Sequence, residues 1–239
     1  MTALFFNRSQ AKREILHTLN FPKIAGVANG AMILRDKLML ETDFEMLQQV
    51  LRPKVDDTLH LDKLFGDKKD LDWFIVLTSF ASIIGNMGQV AYSAASSFQT
   101  ALVRNSRSRG LPGSAIDINM VVGIGYVERE RRSGGLDRHA ADRLLNRSQL
   151  LPVSEPDLHQ RFAESVSACR GGSKVDDPEI ITGLQHLTTE KAVDTFWATN
   201  PKFSHWVRAS HSGSGQGAST HQEAKVPLII INLCYNWDA

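Results

Sequence analysis

The sequence predicts an α/β chain whose parallel sheet is flanked by helices, and three observations carry that expectation. Three short apolar runs occur at residues 24–28 (IAGVA), 73–78 (WFIVLT) and 114–122 (SAIDINMVV), with helix-like spacing between them. The middle run is apolar almost throughout, as a parallel strand covered on both faces requires. The chain has 239 residues, 42% of them hydrophobic, enough to bury one good core.

Each element has its own signal. After the first run, Met39, Phe44, Met46 and Leu47 fall at helical spacing. After the second run, Met87, Val90, Ala91, Ala94, Ala95, Phe98, Ala101 and Leu102 make an i, i+3, i+4, i+7 stripe, the expected buried face of a long helix. Gln89, Tyr92, Ser96 and Gln99 share its other, polar side. Glycine and proline in residues 108–114 (SRGLPGS) stop that helix before the third strand. Ser154, with Asp157 three residues on, reads as a helix start, and residues 179–184 (EIITGL) as an edge strand. From about Arg208 the Gly/Ser-rich composition reads as linker, followed by the apolar tail VPLIIINLCYNW. The expected organisation is a helical remnant at 1–20, a main body at 21–207 and a linker with tail at 208–239.

Charge and composition narrow the function. The 27 basic and 26 acidic side chains leave a net charge of +1, which argues against nucleic acid or anionic membrane as partner. Two cysteines, Cys169 and Cys234, are too few for a disulfide framework and fit a reducing, cytoplasmic setting. No apolar run reaches the roughly 20 residues of a membrane span, and the first residues do not read as a signal peptide. No metal site is expected.

The chemistry concentrates around residues 79–98. Ligands of open α/β sheets gather beyond the carboxyl ends of strands. Ser79 stands at such an end, and Tyr92 follows one loop and one helical turn later. A serine that holds a carbonyl oxygen and a phenol that gives it a proton suit carbonyl reduction. A phenol titrates near pH 10, so it needs a nearby cation, and Lys54 on the preceding helix is the candidate. Taken singly, each residue also has a structural reading: an amphipathic tyrosine, a strand-end cap, a solvated lysine. The spacing of Ser79 and Tyr92 favours a site.

The blocks GVANGAMILRD, VLRPKVDDTLHLDKLF, LTSFASIIGNMGQVAYSAASSF, RGLPGSAIDINMVVGIGYVER, SEPDLHQRFAESV and EIITGL…NPKFSHW resemble, in unbroken order, the β-ketoacyl reductase domain of fungal highly reducing polyketide synthases, within the short-chain dehydrogenase/reductase superfamily. The resemblance implies a Rossmann-like sheet and NADPH-dependent reduction of a β-ketoacyl thioester held by an acyl-carrier protein, with other synthase domains as partners. It implies Lys54 as the lysine that tunes the phenol, Ser79 as the carbonyl-binding serine and Tyr92 as the proton donor. Ser96 takes the fourth catalytic position, asparagine in most members. Asn29, Gly30, Ala31 and Met32 take the loop under the nicotinamide ribose, and Asn119, Met120, Val121 and Val122 the loop bordering the nicotinamide.

A glycine-rich G-x-G-x-x-G turn between a strand and a helix is not found. GIGYVE (residues 123–128) lacks the third glycine, and GSGQGA (residues 213–218) follows no strand. The expectation is therefore a partial Rossmann-like domain lacking the N-terminal nucleotide-binding half, which a partner would supply. The alternative is a catalytically inactive remnant or scaffold unable to bind cofactor by itself.

Overall fold

The structure is a computed structural model that describes residues 24–65, 71–134, 145–169 and 177–208. The proposed remnant at 1–20, the apolar tail, Cys234 and the GSGQGA stretch lie outside these residues. Contacts divide the chain into two units. Among the described residues, the first holds 24–119 together with 156–182, and the second holds 120–155 and 183–208.

The first unit is built on a four-stranded sheet in the order β1-β2-β3-β4, with β1 Gly26–Asn29, β2 Trp73–Ser79, β3 Ser114–Ile118 and β4 Glu179–Ile181. Every neighbouring pair is parallel. The register sets Asn29 beside Val76, and Thr78 and Ser79 beside Asp117 and Ile118. The carboxyl ends of β1, β2 and β3 therefore share one edge. Strand β2 is apolar throughout because both its faces are covered. Phe74 and Val76 join Val27, Phe65, Leu71, Val103 and Ala115 on one side. Ile75 joins Ile116 and Cys169 on the other, with Trp73, Leu77, Phe162 and Val166 packed around them.

Helices α1 Phe44–Lys54 and α2 Asp56–Phe65 connect β1 to β2, and a short helix α3 Ala81–Ile84 and the long helix α4 Val90–Ser108 connect β2 to β3. Asp43 caps α1, its Oδ1 accepting from the Met46 amide at 2.8 Å. That cap explains why Met39 is not on the helix: it belongs to a separate 3-10 turn, Met39–Glu41, and is exposed along with Phe44. Helix α6, Glu155–Ala168, begins right after Ser154 and lies over the second face of the sheet, where Phe162 meets Trp73 edge-to-face at 5.8 Å.

The long helix departs from its sequence pattern. Val90, Ala94 and Ala101 of the apolar stripe are exposed, whereas Tyr92, Ser96 and Gln99 are buried. The polar side faces inward because it has polar partners there. Strand β3 is also shorter than the run at 114–122, ending at Ile118. Beyond it the Asn119 amide bonds the Thr182 hydroxyl at 2.9 Å.

In the second unit Val121 bridges Val153, and α5 Gly125–Ser133 is a polar helix with no buried residue. A small parallel pair joins β5 Leu187–Thr188 to β6 Val207–Arg208, with helix α7 Thr189–Val193 following β5. Arg208 is thus a strand residue, so the linker expected from there starts no earlier than residue 209. Trp197 anchors this unit: it is fully buried, stacks edge-to-face on Phe203, and donates from Nε1 to the Ser148 carbonyl at 2.7 Å.

Candidate active site

Lys54 is the last residue of α1, and its side chain runs into the core rather than out to water. It is 1% exposed. Nζ donates to the Leu77 carbonyl of β2 at 2.7 Å and to Gln99 Oε1 of α4 at 3.1 Å. The ammonium also lies 5.1 Å from the centre of the Tyr92 ring. Burial disfavours the charged form and lowers the lysine pKa to about 7, with the Asp117 carboxyl opposing that shift.

Tyr92 lies in the first turn of α4 and is buried. Its hydroxyl donates to Met32 Sδ at 3.4 Å, a weak acceptor that leaves the phenolic proton easily redirected. Burial pushes the phenol up to about 12, the Ser79 hydroxyl beside it opposes that shift, and Asp36 adds to it. The phenol is therefore protonated across the neutral range. The cation meets the ring face, and in this state desolvation decides the phenol's titration.

Ser79 closes β2. Its Oγ accepts from the Ala81 amide at 3.2 Å, which leaves the hydroxyl proton free to point elsewhere. Its carbonyl accepts from Ser82 Oγ at 2.5 Å, and Ser82 Oγ also lies 3.2 Å from Asp117 Oδ1. Thr78 Oγ1 donates to the same Asp117 oxygen at 2.9 Å. No donor reaches Asp117 Oδ2 among the described residues, and the neighbouring Glu179 carboxyl helps burial push Asp117 up to about 8. Asp117 thus ties β2 to β3 behind Ser79.

The loop after β1 is closed by Asn29. Its Oδ1 accepts from the Ala31 amide at 3.0 Å, and its Nδ2 donates to the Pro53 carbonyl at 3.0 Å and to Thr58 Oγ1 at 2.8 Å. Gly30 lies against the end of the Leu77 side chain, where a Cβ would stand 2.9 Å from Leu77 Cδ1. In the same loop Met32 meets the Tyr92 hydroxyl. Further along, Lys37 donates its amide to the Gly88 carbonyl at 3.0 Å and Gln89 donates to Asp36 at 2.9 Å, so the loops after β1 and β2 form one rim.

The structure therefore brings Lys54, Ser79, Tyr92 and Met32 together, with Asn29, Gly30 and Ala31 in the adjoining loop. Ser96 is fully buried near them in sequence, but its hydroxyl has no partner among the described residues. Asn119 is tied to Thr182, while Met120, Val121 and Val122 belong to the second unit, where they pair with Val153. Thr58, Gln99 and Asp117 were not singled out from the sequence. Gln99 stands two helical turns after Tyr92 and Thr58 one turn after Lys54, but such spacings by themselves single out no residue.

Fold and site together define a parallel-sheet α/β domain of reductase type, with polar side chains converging at the carboxyl ends of its strands. The model of the KR domain family matches residues 7–123, and that stretch of the chain belongs to this family. It is 43% identical to the Fusarielin synthase FSL1 of Gibberella zeae over 238 residues, covering 92% of this chain and 9% of that protein. It is 44% identical to the hybrid PKS-NRPS synthetase lepA of Aspergillus flavus over 216 residues, covering 87% of this chain and 5% of the relative. The chain thus spans under a tenth of these curated relatives. Among solved structures, a ketoreductase from the first module of phoslactomycin biosynthesis in Streptomyces sp. HK803 superposes with a TM-score of 0.60 at 23% identity, over 83% of this chain and 40% of that one. The first ketoreductase of the tylosin PKS gives 0.59 at 22%, over 83% and 41%. At that identity the likeness speaks for the fold.

Proposed function

We propose that the chain carries the catalytic side of an NADPH-dependent ketoreductase, which reduces a β-ketoacyl thioester on an acyl-carrier protein to the β-hydroxyacyl thioester in cytoplasmic polyketide biosynthesis. The observation that carries this reading is a buried, protonated Tyr92 with Lys54 Nζ 5.1 Å from its ring centre and Ser79 at its hydroxyl.

The Ser79 hydroxyl, whose oxygen already accepts from Ala81, turns its proton to the substrate carbonyl oxygen and fixes it beside Tyr92. A reduced nicotinamide, when bound, supplies the hydride to the carbonyl carbon. Tyr92 gives its phenolic proton to the carbonyl oxygen, breaking its contact to Met32 sulfur and completing the alcohol. Lys54, whose Nζ lies 5.1 Å from the ring centre, stabilises the phenolate left behind in a low-dielectric setting where one charge counts for much.

The donor set fits a nicotinamide ribose. An ammonium has three hydrogens, and the described residues accept two of them from Lys54. The third is available to a ribose hydroxyl. Gly30, Ala31 and Met32 would line the ribose, with Asn29 shaping the loop because its amide is already fully engaged. Asn119, Met120, Val121 and Val122 would border the nicotinamide, as the family resemblance implies. Ser96 would fill the fourth catalytic position.

The test supplies NADPH and a β-ketoacyl thioester and follows the nicotinamide absorbance. One arm uses the chain alone, and a second adds in trans the remainder of a ketoreductase domain. Turnover in either arm, lost by 100-fold or more in Tyr92→Phe, is the expected result. Equal rates for wild type and Tyr92→Phe, or none in both arms, would overturn it.

A further inference from the structure

A catalytic lysine must be aimed, and a flexible four-carbon side chain does not aim itself. The only side-chain acceptor that Lys54 Nζ meets among the described residues is Gln99 Oε1, at 3.1 Å. We propose that Gln99 is the positioning residue for Lys54, with Thr58 setting its amide, so that the loop at Asn29 and the lysine ammonium are held by one hydrogen-bonded chain. This inference rests on the ketoreductase reading above.

The orientation of the Gln99 amide follows from its neighbours. The Thr58 hydroxyl donates its single proton to the Lys54 carbonyl, with an Oγ1 to O distance of 2.5 Å. Its oxygen therefore only accepts, and it does so from Gln99 Nε2 at 2.9 Å and Asn29 Nδ2 at 2.8 Å. Since Gln99 must show Thr58 its NH2 end, its carbonyl end is turned toward Lys54. Asn29 is fixed in the same way, because its Oδ1 is taken by the Ala31 amide. Gln99 and Thr58 are both fully buried, so no water competes for these bonds. Ser96, one turn earlier on α4, is equally buried, but its hydroxyl touches no donor or acceptor among the described residues and cannot share the task.

The other groups that bear on the lysine are Asp117 of β3, with Glu179 of β4 and its ion-pair partner Arg104 of α4 behind it, and the Tyr92 ring of α4. They are unchanged in the test. Lysine side chains are labelled with 13C and 15N in the full chain, Lys54 is assigned through a Lys54→Met variant, and its titration is followed by NMR without cofactor or substrate. Gln99→Leu keeps the volume, removes the acceptor and lowers the Lys54 midpoint by about one pH unit or more. Gln99→Glu places a carboxylate at the same point and raises it by a similar amount. The pH limb of turnover moves the same way in each variant. Where Gln99→Leu does not fold, Gln99→Glu carries the test by itself. A Lys54 midpoint unchanged in the folded variants assigns Gln99 a packing role only and overturns the proposal. The NMR readout needs no turnover, so its failure is distinct from a failure of the reductase reading, which shows as an inactive wild type.

Discussion

A lysine that is 1% exposed and titrates near 7 sets the behaviour of the site at the scale of single residues. In the proposed reduction the phenolate left by Tyr92 needs a cation, and Lys54 is cationic only below its own pKa. Turnover is expected to be flat below about pH 7 and to fall tenfold per unit above it, as one proton leaves Lys54. Lys54→Met removes that limb and runs at least about 100-fold slower, with a circular dichroism spectrum like the wild type's. A wild-type rate constant over pH 6–9 would contradict this assignment. The places of Ser79 and Tyr92, at a strand end and in the first turn of the next helix, were legible in the sequence, because the topology is. Gln99 and Thr58 were not. Their value lies in which end of an amide faces which hydroxyl, and no spacing rule encodes that.

At the scale of elements the long helix is the instructive case. Its apolar residues keep a 3.6-residue period, yet Val90, Ala94 and Ala101 face water while Tyr92, Ser96 and Gln99 are inside. Periodicity finds the face that is apolar, and it equates this with the buried face only where the interior is itself apolar. Here the interior holds an ammonium and a hydroxyl, so the polar face is the one drawn in. The strands were readable for the opposite reason. Strand β2 is covered on both faces by hydrocarbon, and its sequence says so directly. The β1–β2 contact adds a constraint that composition does not reveal. A Cβ on Gly26 would stand 1.9 Å from the Trp73 ring, which α6 holds through Phe162. Gly26→Ala is therefore expected to lower the unfolding free energy by about 1–3 kcal/mol, measured by urea denaturation, and a second change, Trp73→Val, is expected to relieve part of the loss. Gly26→Ala with unaltered stability would show that β1 and β2 can part at no cost.

For the whole molecule, two buried titratable groups act on stability in opposite senses. Asp117 moves from 3.8 up to about 8, so between those values the folded chain holds a proton that the unfolded chain has released, and stability falls as pH rises. Lys54 moves from 10.5 down to about 7, so above 7 the unfolded chain holds the extra proton, and stability rises with pH. Their sum is a decline from about pH 4 to 7 and a shallow minimum between about 7 and 8. Asp117→Asn keeps an acceptor for Thr78 and Ser82 without the titration. Urea midpoints at pH 5 and pH 7.5 should differ in the wild type and converge in this variant, and parallel behaviour of the two proteins would exclude Asp117 as the source. The parallel pairing of the main sheet could be read from the chain, since it follows from alternating strands and helices, whereas its strand order could not. The second unit was hardly legible beyond its start, because its anchor, Trp197 on the Ser148 carbonyl, joins residues 49 apart that share no motif.

One of the two acceptors that hold Lys54 is the carbonyl of Leu77, part of the main chain of β2. Exchanging the side chain at that position leaves the oxygen where it is, so this half of the anchorage is shielded from genetic drift. The other half, an amide on a helix, is open to replacement by a single codon change. The grip on this cation can thus be altered by exchange of one helix side chain without rebuilding the strand beneath it.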